Sequence, residues 1–318
     1  MTVHVLSVGV SVLEHLQQPW SYFKGKSALG RAIEASKPWL LLERADVHRD
    51  AGDASAWLAG ALALAGDQGH RPEAARQLAD AAGAISPGLW PGRLSAELDT
   101  FDRVPGAQRP LPAADIAVLV CSDTPDGLLA GIWNATALVG GDLGKVGYLA
   151  TTEDLPADLG GKAMFVRVDG LDAGRDDGFR RAMRELGLLG RKLLDGGEVG
   201  QEDRFRFYLS GGFKASIPYL IGLAEGLASL PEVGPVEAYV LHDTNRASPP
   251  IPLPLRRMAP ERVQRELRGL TESPSHNKPD SDYLDGYAYT QDGGGWRLTP
   301  FGAGLKALFK IPPPGIGS

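Results

Sequence analysis

A single cysteine, Cys121, rules out an intrachain disulfide framework and any multi-cysteine metal site. Such sparing use fits a reducing cytosol. The chain also lacks any run of about 18 consecutive apolar residues, so no membrane span is expected. Met1 to Gly9 has the pattern of a short strand, without the basic start and apolar stretch of a signal peptide. A cytoplasmic location is the expectation. Positive charge is not in excess. The formal net charge of -6 argues against nonspecific coating of nucleic acid and leaves room for a local basic pocket. The six histidines (His4, His15, His48, His70, His242 and His276) show no metal-ligand spacing. No Gly-x-Gly-x-x-Gly follows the first strand, so a nucleotide-dependent dehydrogenase is not indicated. No internal repeat is present.

What is there is an ample apolar content, 43% over 318 residues, enough for one large domain and a small one. Buried-strand patterns fall at residues 3–8, 115–121, 146–149, 164–168, 204–209 and 236–242. Helical patterns fall at 27–42, 54–65, 72–82, 91–103, 175–194 and 215–230, with another running from the 122–127 loop to Leu138. Strands alternating with helices predict a doubly wound, mostly parallel α/β sheet of the Rossmann-like kind. Residues 1–248 form this unit, with a helical insert at about 50–90. The proline-rich stretch 249–258 reads as a linker. Residues 259–312 read as helix, hairpin and helix, a small winged-helix-like domain with its hairpin turn at 291–294.

One stretch carries most of the chemistry. The strand 204–209 runs into Ser210-Gly211-Gly212-Phe213-Lys214, and a helix follows at once. Bare-backbone N–H groups and a helix N-terminus make an anion site, and Lys214 adds a mobile positive charge there. Two further loops fall at strand carboxyl ends, Gly9-Val10-Ser11 and Ser122-Asp123-Thr124, where ligands of such folds collect. Each also has a plain structural reading. Ser11 is placed to cap the next helix as well as to meet a ligand. Ser122, Asp123 or Thr124 can cap the helix whose first turn holds Pro125. Glu97 reads as the partner of a surface charge or a nearby backbone group rather than as a base. Phe213 reads as packing, Trp90 and Trp133 as core, and His15 as a solvated helix position near Ser11.

Five pieces occur together in one order: Leu6-Ser7-Val8-Gly9-Val10-Ser11-Val12-Leu13, Ser95-Ala96-Glu97-Leu98, Ser122-Asp123-Thr124-Pro125-Asp126-Gly127, Ser210-Gly211-Gly212-Phe213-Lys214-Ala215 and Ile251-Pro252-Leu253-Pro254-Leu255. In that order they resemble the CRISPR-associated Rossmann-fold (CARF) proteins, and more narrowly the group with the stand-alone ring nucleases. The resemblance spans roughly residues 1–255, with a winged-helix-like tail as in several members. It implies a homodimer that binds cyclic tetra-adenylate across its two-fold axis and cuts it, switching off type III CRISPR signalling. An even-numbered ring suits an isologous dimer, because each subunit offers the same loops to opposite halves.

The implied reaction needs no metal or other cofactor. A ribose 2′-hydroxyl attacks the adjacent phosphodiester and leaves a 2′,3′-cyclic phosphate. By this resemblance Lys214 stabilises charge on the phosphate and Ser11 holds the ribose or a phosphate oxygen in line. Gly9, Val10, Ser210, Gly211, Gly212 and Phe213 lie along the ligand, and Ser122, Asp123 and Thr124 meet an adenine edge or ribose. The family commonly has a threonine between the glycine and serine of the first loop; here it is Val10, one hydroxyl fewer.

A second reading is a regulator in which the ring-binding domain controls DNA binding by the C-terminal part. A DNA reader needs a basic recognition helix. Residues 259–270 carry Arg262, Arg265 and Arg268 beside Glu261 and Glu266, and the last helix has only Lys306 and Lys310, so DNA is not the favoured partner. A messenger-activated ribonuclease of the HEPN type is also not indicated, since Pro274 interrupts the stretch between Arg268 and His276.

Overall fold

The computed structural model describes residues 1–16, 95–152, 155–171, 176–196, 199–212, 214–242 and 248–314. The insert expected at about 50–90, the helices expected at 27–42, 54–65 and 72–82, Trp90 and Phe213 lie outside the described residues, as does the side chain of His15.

Six parallel strands and one antiparallel edge strand form a single sheet. In chain order they are β1 (Thr2–Ser7), β2 (Ile116–Ser122), β3 (Val146–Leu149), β4 (Ala163–Val168), β5 (Arg204–Tyr208), β6 (Val236–Val240) and β7 (Ile251–Pro252). Their spatial order is β3-β4-β2-β1-β5-β6-β7. The central strand β1 pairs in parallel with β2 on one side (Val5 opposite Val118) and β5 on the other (Val5 opposite Phe207). Strands buried on both faces favour apolar residues; β2 meets that demand along Ile116–Cys121, while β1 also buries His4 and Ser7 and β5 buries Arg206. The strand β7 lies inside the stretch read as a linker. Its two residues pair antiparallel with β6, at the sheet edge where proline is tolerated.

Helices cover both faces, as the doubly wound pattern requires. On one face lie α1 (Ser11–Leu16), α2 (Ala96–Arg103) and α3 (Pro125–Leu138). They bury Leu6, Phe101, Trp133, Phe165 and Tyr208 in one cluster. Each such side chain contributes roughly 1.5–3 kcal/mol by leaving water. Thr124 caps α3, its Oγ1 accepting the Gly127 amide at 3.1 Å, and Pro125 occupies the first turn as its sequence position foretold. Gly131 lets α3 lie close on the sheet, because a Cβ there would come 2.5 Å from Cys121 Sγ.

On the other face lie α4 (Asp176–Asp195) and α5 (Ile217–Ala228). The C-terminal elements α6 (Pro260–Leu267), the hairpin β8 (Tyr289–Asp292) and β9 (Gly295–Leu298), and α7 (Pro300–Leu308) join them. Val5, Phe207, Leu186, Leu220, Leu267, Leu298 and Leu305 belong to one continuous core on this face. The C-terminal part is therefore packed into the sheet's helical layer. Helix, hairpin and helix stand in the expected order. The hairpin turn is Gly293-Gly294, with φ of +57° and +86°, the left-handed pair a tight two-residue turn demands. Glu266 of α6 is buried, accepting from Tyr289 Oη at 2.9 Å, from the Leu284 amide at 3.1 Å and from the Ser281 hydroxyl. Arg262 lies over the Tyr283 ring. The mixed charges counted on this helix are thus partly spent inside the fold.

Candidate functional site

The chain winds from β1 first toward β2 and later crosses to β5, so the order reverses at β1. The crevice outside the carboxyl ends of the flanking strands is where such sheets take ligands. Here the turn after β1 and the glycine loop after β5 touch. A Cβ on Gly9 would come 2.5 Å from the Gly212 nitrogen and 3.1 Å from its Cα. Gly212 has φ +90°, open to glycine and strained for other residues, and a Cβ there would overlap Ser7 Oγ. Bare backbone is required on both sides of the crevice.

Beneath the contact lies Glu97, fully buried on α2. Its Oε1 accepts the Gly9 amide, and its Oε2 accepts the Ser95 hydroxyl at 2.6 Å. Ser11 also hydrogen-bonds this carboxyl. A Cβ on Gly211 would overlap Glu97 Oε1 and Cδ, so the carboxyl fills the space that the glycine leaves. Burial pushes the Glu97 pKa up from its ordinary value, against hydrogen bonds from Ser95, Gly9 and Ser11 that favour the charged form. Burial, and then the Glu97 charge, push the nearby Cys121 thiol up as well, so it is no nucleophile.

The sequence-derived candidates fall into two groups. Gly9, Val10, Ser11, Gly211 and Gly212 gather at the β1/β5 crevice. Ser11 Oγ accepts the Ala96 amide at 3.3 Å, so its hydroxyl joins the first turn to α2. Val10 is 40% exposed and offers only an apolar surface where the resembling proteins commonly have a hydroxyl. Lys214 opens a short 3-10 turn, Lys214–Ser216, that leads into α5. It is exposed, and its ammonium has no hydrogen bond or ion pair among the described residues. Ser210 is spent on structure, its Oγ accepting the Leu241 amide at 2.7 Å and tying the ends of β5 and β6.

The second group follows β2 and is hydrogen-bonded within the protein. Ser122 Oγ and Thr124 Oγ1 are hydrogen-bonded at 2.9 Å. Asp123 accepts from Arg167 Nε at 2.5 Å. The helix-capping reading of this loop therefore holds for Thr124.

Sequence reasoning missed two contributors. Arg167 sits at the carboxyl end of β4 and brings a guanidinium to the loop after β2. No motif marks it; only the β2/β4 pairing, with Cys121 opposite Arg167, places it there. Glu97 lay inside a recognised motif and reads there as the partner of a surface charge or a neighbouring backbone group; it is instead fully buried and accepts from a backbone group far away in sequence. Which backbone group, and its burial, depend on a contact across 88 residues.

Neither family models nor curated proteins match this chain. The fold is an α/β sheet of mostly parallel strands, compatible with the Rossmann-like class.

Proposed function

We propose that the crevice binds a cyclic oligoadenylate, the tetra-adenylate by the motif resemblance, and that the protein cleaves it as a ring nuclease. The observation that carries this reading is the position of Lys214. An exposed ammonium, with no hydrogen bond or ion pair among the described residues, follows the two glycines and Phe213, at the carboxyl end of a strand beside the switch in strand order. In this reading the backbone N–H groups of the Gly211-Gly212 loop, buried at Gly211 and half-buried at Gly212, meet the phosphate, and Lys214 supplies charge. The substrate brings its own nucleophile. Its 2′-oxygen bonds to phosphorus and gives up its proton, the bond to the 5′-oxygen breaks, and that oxygen is protonated. The products end in a 2′,3′-cyclic phosphate and a 5′-hydroxyl. Alignment of so near a nucleophile supplies up to roughly 7–11 kcal/mol, and one positioned donor roughly 3–4 more.

In this proposal two copies of the chain meet about a two-fold axis, each giving one crevice to the ring. The C-terminal helix–hairpin–helix serves as a structural cover in winged-helix-like order. Its inward Glu266 and its shared core with α4 and α5 support that role over DNA reading.

The test is incubation of the wild type and Lys214→Ala with radiolabelled cyclic tetra-adenylate in the presence of EDTA. Cleavage by the wild type alone supports the proposal. Binding by both with cleavage by neither removes the enzyme reading and favours the ligand-gated regulator, which a gel shift with DNA from its own locus then tests.

A further inference from the structure

Glu97 has no part in the proposed chemistry, yet it is the one buried carboxyl under the loop contact among the described residues. Its position is unusual on electrostatic grounds. A site for phosphate gains from N–H donors and cations, and here a carboxyl takes up one of those donors, the Gly9 amide. A ligand-facing role is also closed to it, since it is fully buried.

Its contacts explain why it is there. Oε1 holds the turn after β1, and Oε2 is held by Ser95, whose own Oγ accepts the Leu98 amide at 3.2 Å and so starts α2. Ser11 hydrogen-bonds the same carboxyl and accepts from Ala96. Gly211 rests on the carboxyl where a side chain would collide. Three places distant in sequence, residues 9–11, residues 95–98 and Gly211, thus meet on one group of three heavy atoms. We infer that Glu97 is a positioning residue: its carboxyl joins the turn after β1 to the glycine loop after β5, so that Ser11 and the loop amides face a single phosphodiester. The inference deepens the proposed ring-cleaving function and rests on it for the identity of the ligand.

A group acting by position is replaceable by one of the same shape. Glu97→Gln keeps an oxygen for the Gly9 amide and turns an N–H toward Ser95 Oγ, where the serine changes from donor to acceptor. Glu97→Ala removes both and leaves a void under Gly211. The experiment compares wild type, Glu97→Gln and Glu97→Ala in three readouts: kcat and KM for cyclic tetra-adenylate, thermal unfolding, and amide hydrogen exchange at Gly9. Glu97→Ala, where it remains folded, loses kcat on the order of 10²-fold with KM little moved, because misplacement of aligned groups strikes the chemical step. Its Gly9 amide exchanges faster. Glu97→Gln restores the greater part of kcat and the Gly9 protection.

Equal loss of kcat in Gln and Ala variants overturns the inference, because charge and not position is then what matters. A folded Glu97→Ala with wild-type kcat overturns it too. If the wild type itself does not cut the ring, the ring-nuclease reading fails alone. The exchange at Gly9 then decides for or against Glu97: unchanged protection in Glu97→Ala sinks it. If Glu97→Ala does not fold, Glu97→Asp takes its place, since the shorter side chain cannot reach Gly9 and Ser95 together, and the same loss is expected of it.

Discussion

Gly212 stands directly over Ser7: a Cβ on the glycine would overlap the serine Oγ, and the backbone there has φ +90°. Ser7 ends β1 and Gly212 follows β5, so this pair sets how closely the two loops approach. Gly212→Ala meets both the clash and the left-handed strain, and is expected to cost roughly 1–3 kcal/mol. Thermal unfolding measures the loss. Ser7→Ala combined with Gly212→Ala removes the overlap but not the strain, and recovers only part of it. Full recovery would show that the backbone at this position is not strained.

Lys214 behaves differently, because it is exposed and no described residue bonds to it. Lys214→Ala is expected to stay within about 0.5 kcal/mol of wild-type stability, as an exposed substitution does. Under the proposed chemistry it lowers the cleavage rate roughly 10²–10³-fold. Single-turnover kinetics beside a denaturant titration separate the two effects. A variant that unfolds early would assign the lysine to the scaffold.

Two buried groups give stability opposite slopes with pH. Burial raises the Glu97 pKa, so the folded protein holds that proton more tightly than the unfolded chain does. Its stabilising contribution is complete below the ordinary value of 4.5 and is lost as pH rises through the folded value. Burial lowers the pKa of His4, whose Nδ1 lies 2.8 Å from Tyr208 Oη; Asp115 acts the other way and is outweighed. The His4 contribution is present above 6.5 and is lost as pH falls through the folded value. Unfolding free energies across pH 4–8 for the wild type and Glu97→Gln are expected to diverge, the wild type losing ground as pH rises. Parallel curves would show that Glu97 stays at its ordinary value.

The join between the C-terminal helix and the sheet layer is a further place where one methyl group matters. Gly187 of α4 and Gly304 of α7 cross with their backbones in contact, and a Cβ on Gly187 would overlap the Gly304 carbonyl. Gly187→Ala is expected to destabilise the whole protein by roughly 1–3 kcal/mol, since overpacking forces the helices apart. Because Leu186 and Leu305 share one core with Phe207 of the sheet, the loss appears in a single transition. Two separated transitions would mean that residues 259–312 unfold on their own.

Local chemistry is what the amino-acid order settled unaided. Apolar patterns named six of the strands, Pro125 with a cap at Ser122, Asp123 or Thr124 marked the start of α3, and residues 291–294 marked the hairpin turn, because propensity, capping and turn chemistry act over a few residues; the structure chose Thr124 and Gly293-Gly294. The glycine loop before Lys214 was legible for the same reason. Tertiary structure alone decided which loops meet. The carboxyl of Glu97 reaches Gly9 across 88 residues of chain, and Arg167 reaches Asp123 across 44. Strand order brings these pairs together, and strand order is a property of how helices pack over both faces of the sheet. It also joined the proline-rich 249–258 stretch to the sheet edge, where exposed Ile251–Pro252 pairs with the backbone of β6, and it folded the C-terminal helices into the common core by burying their apolar faces.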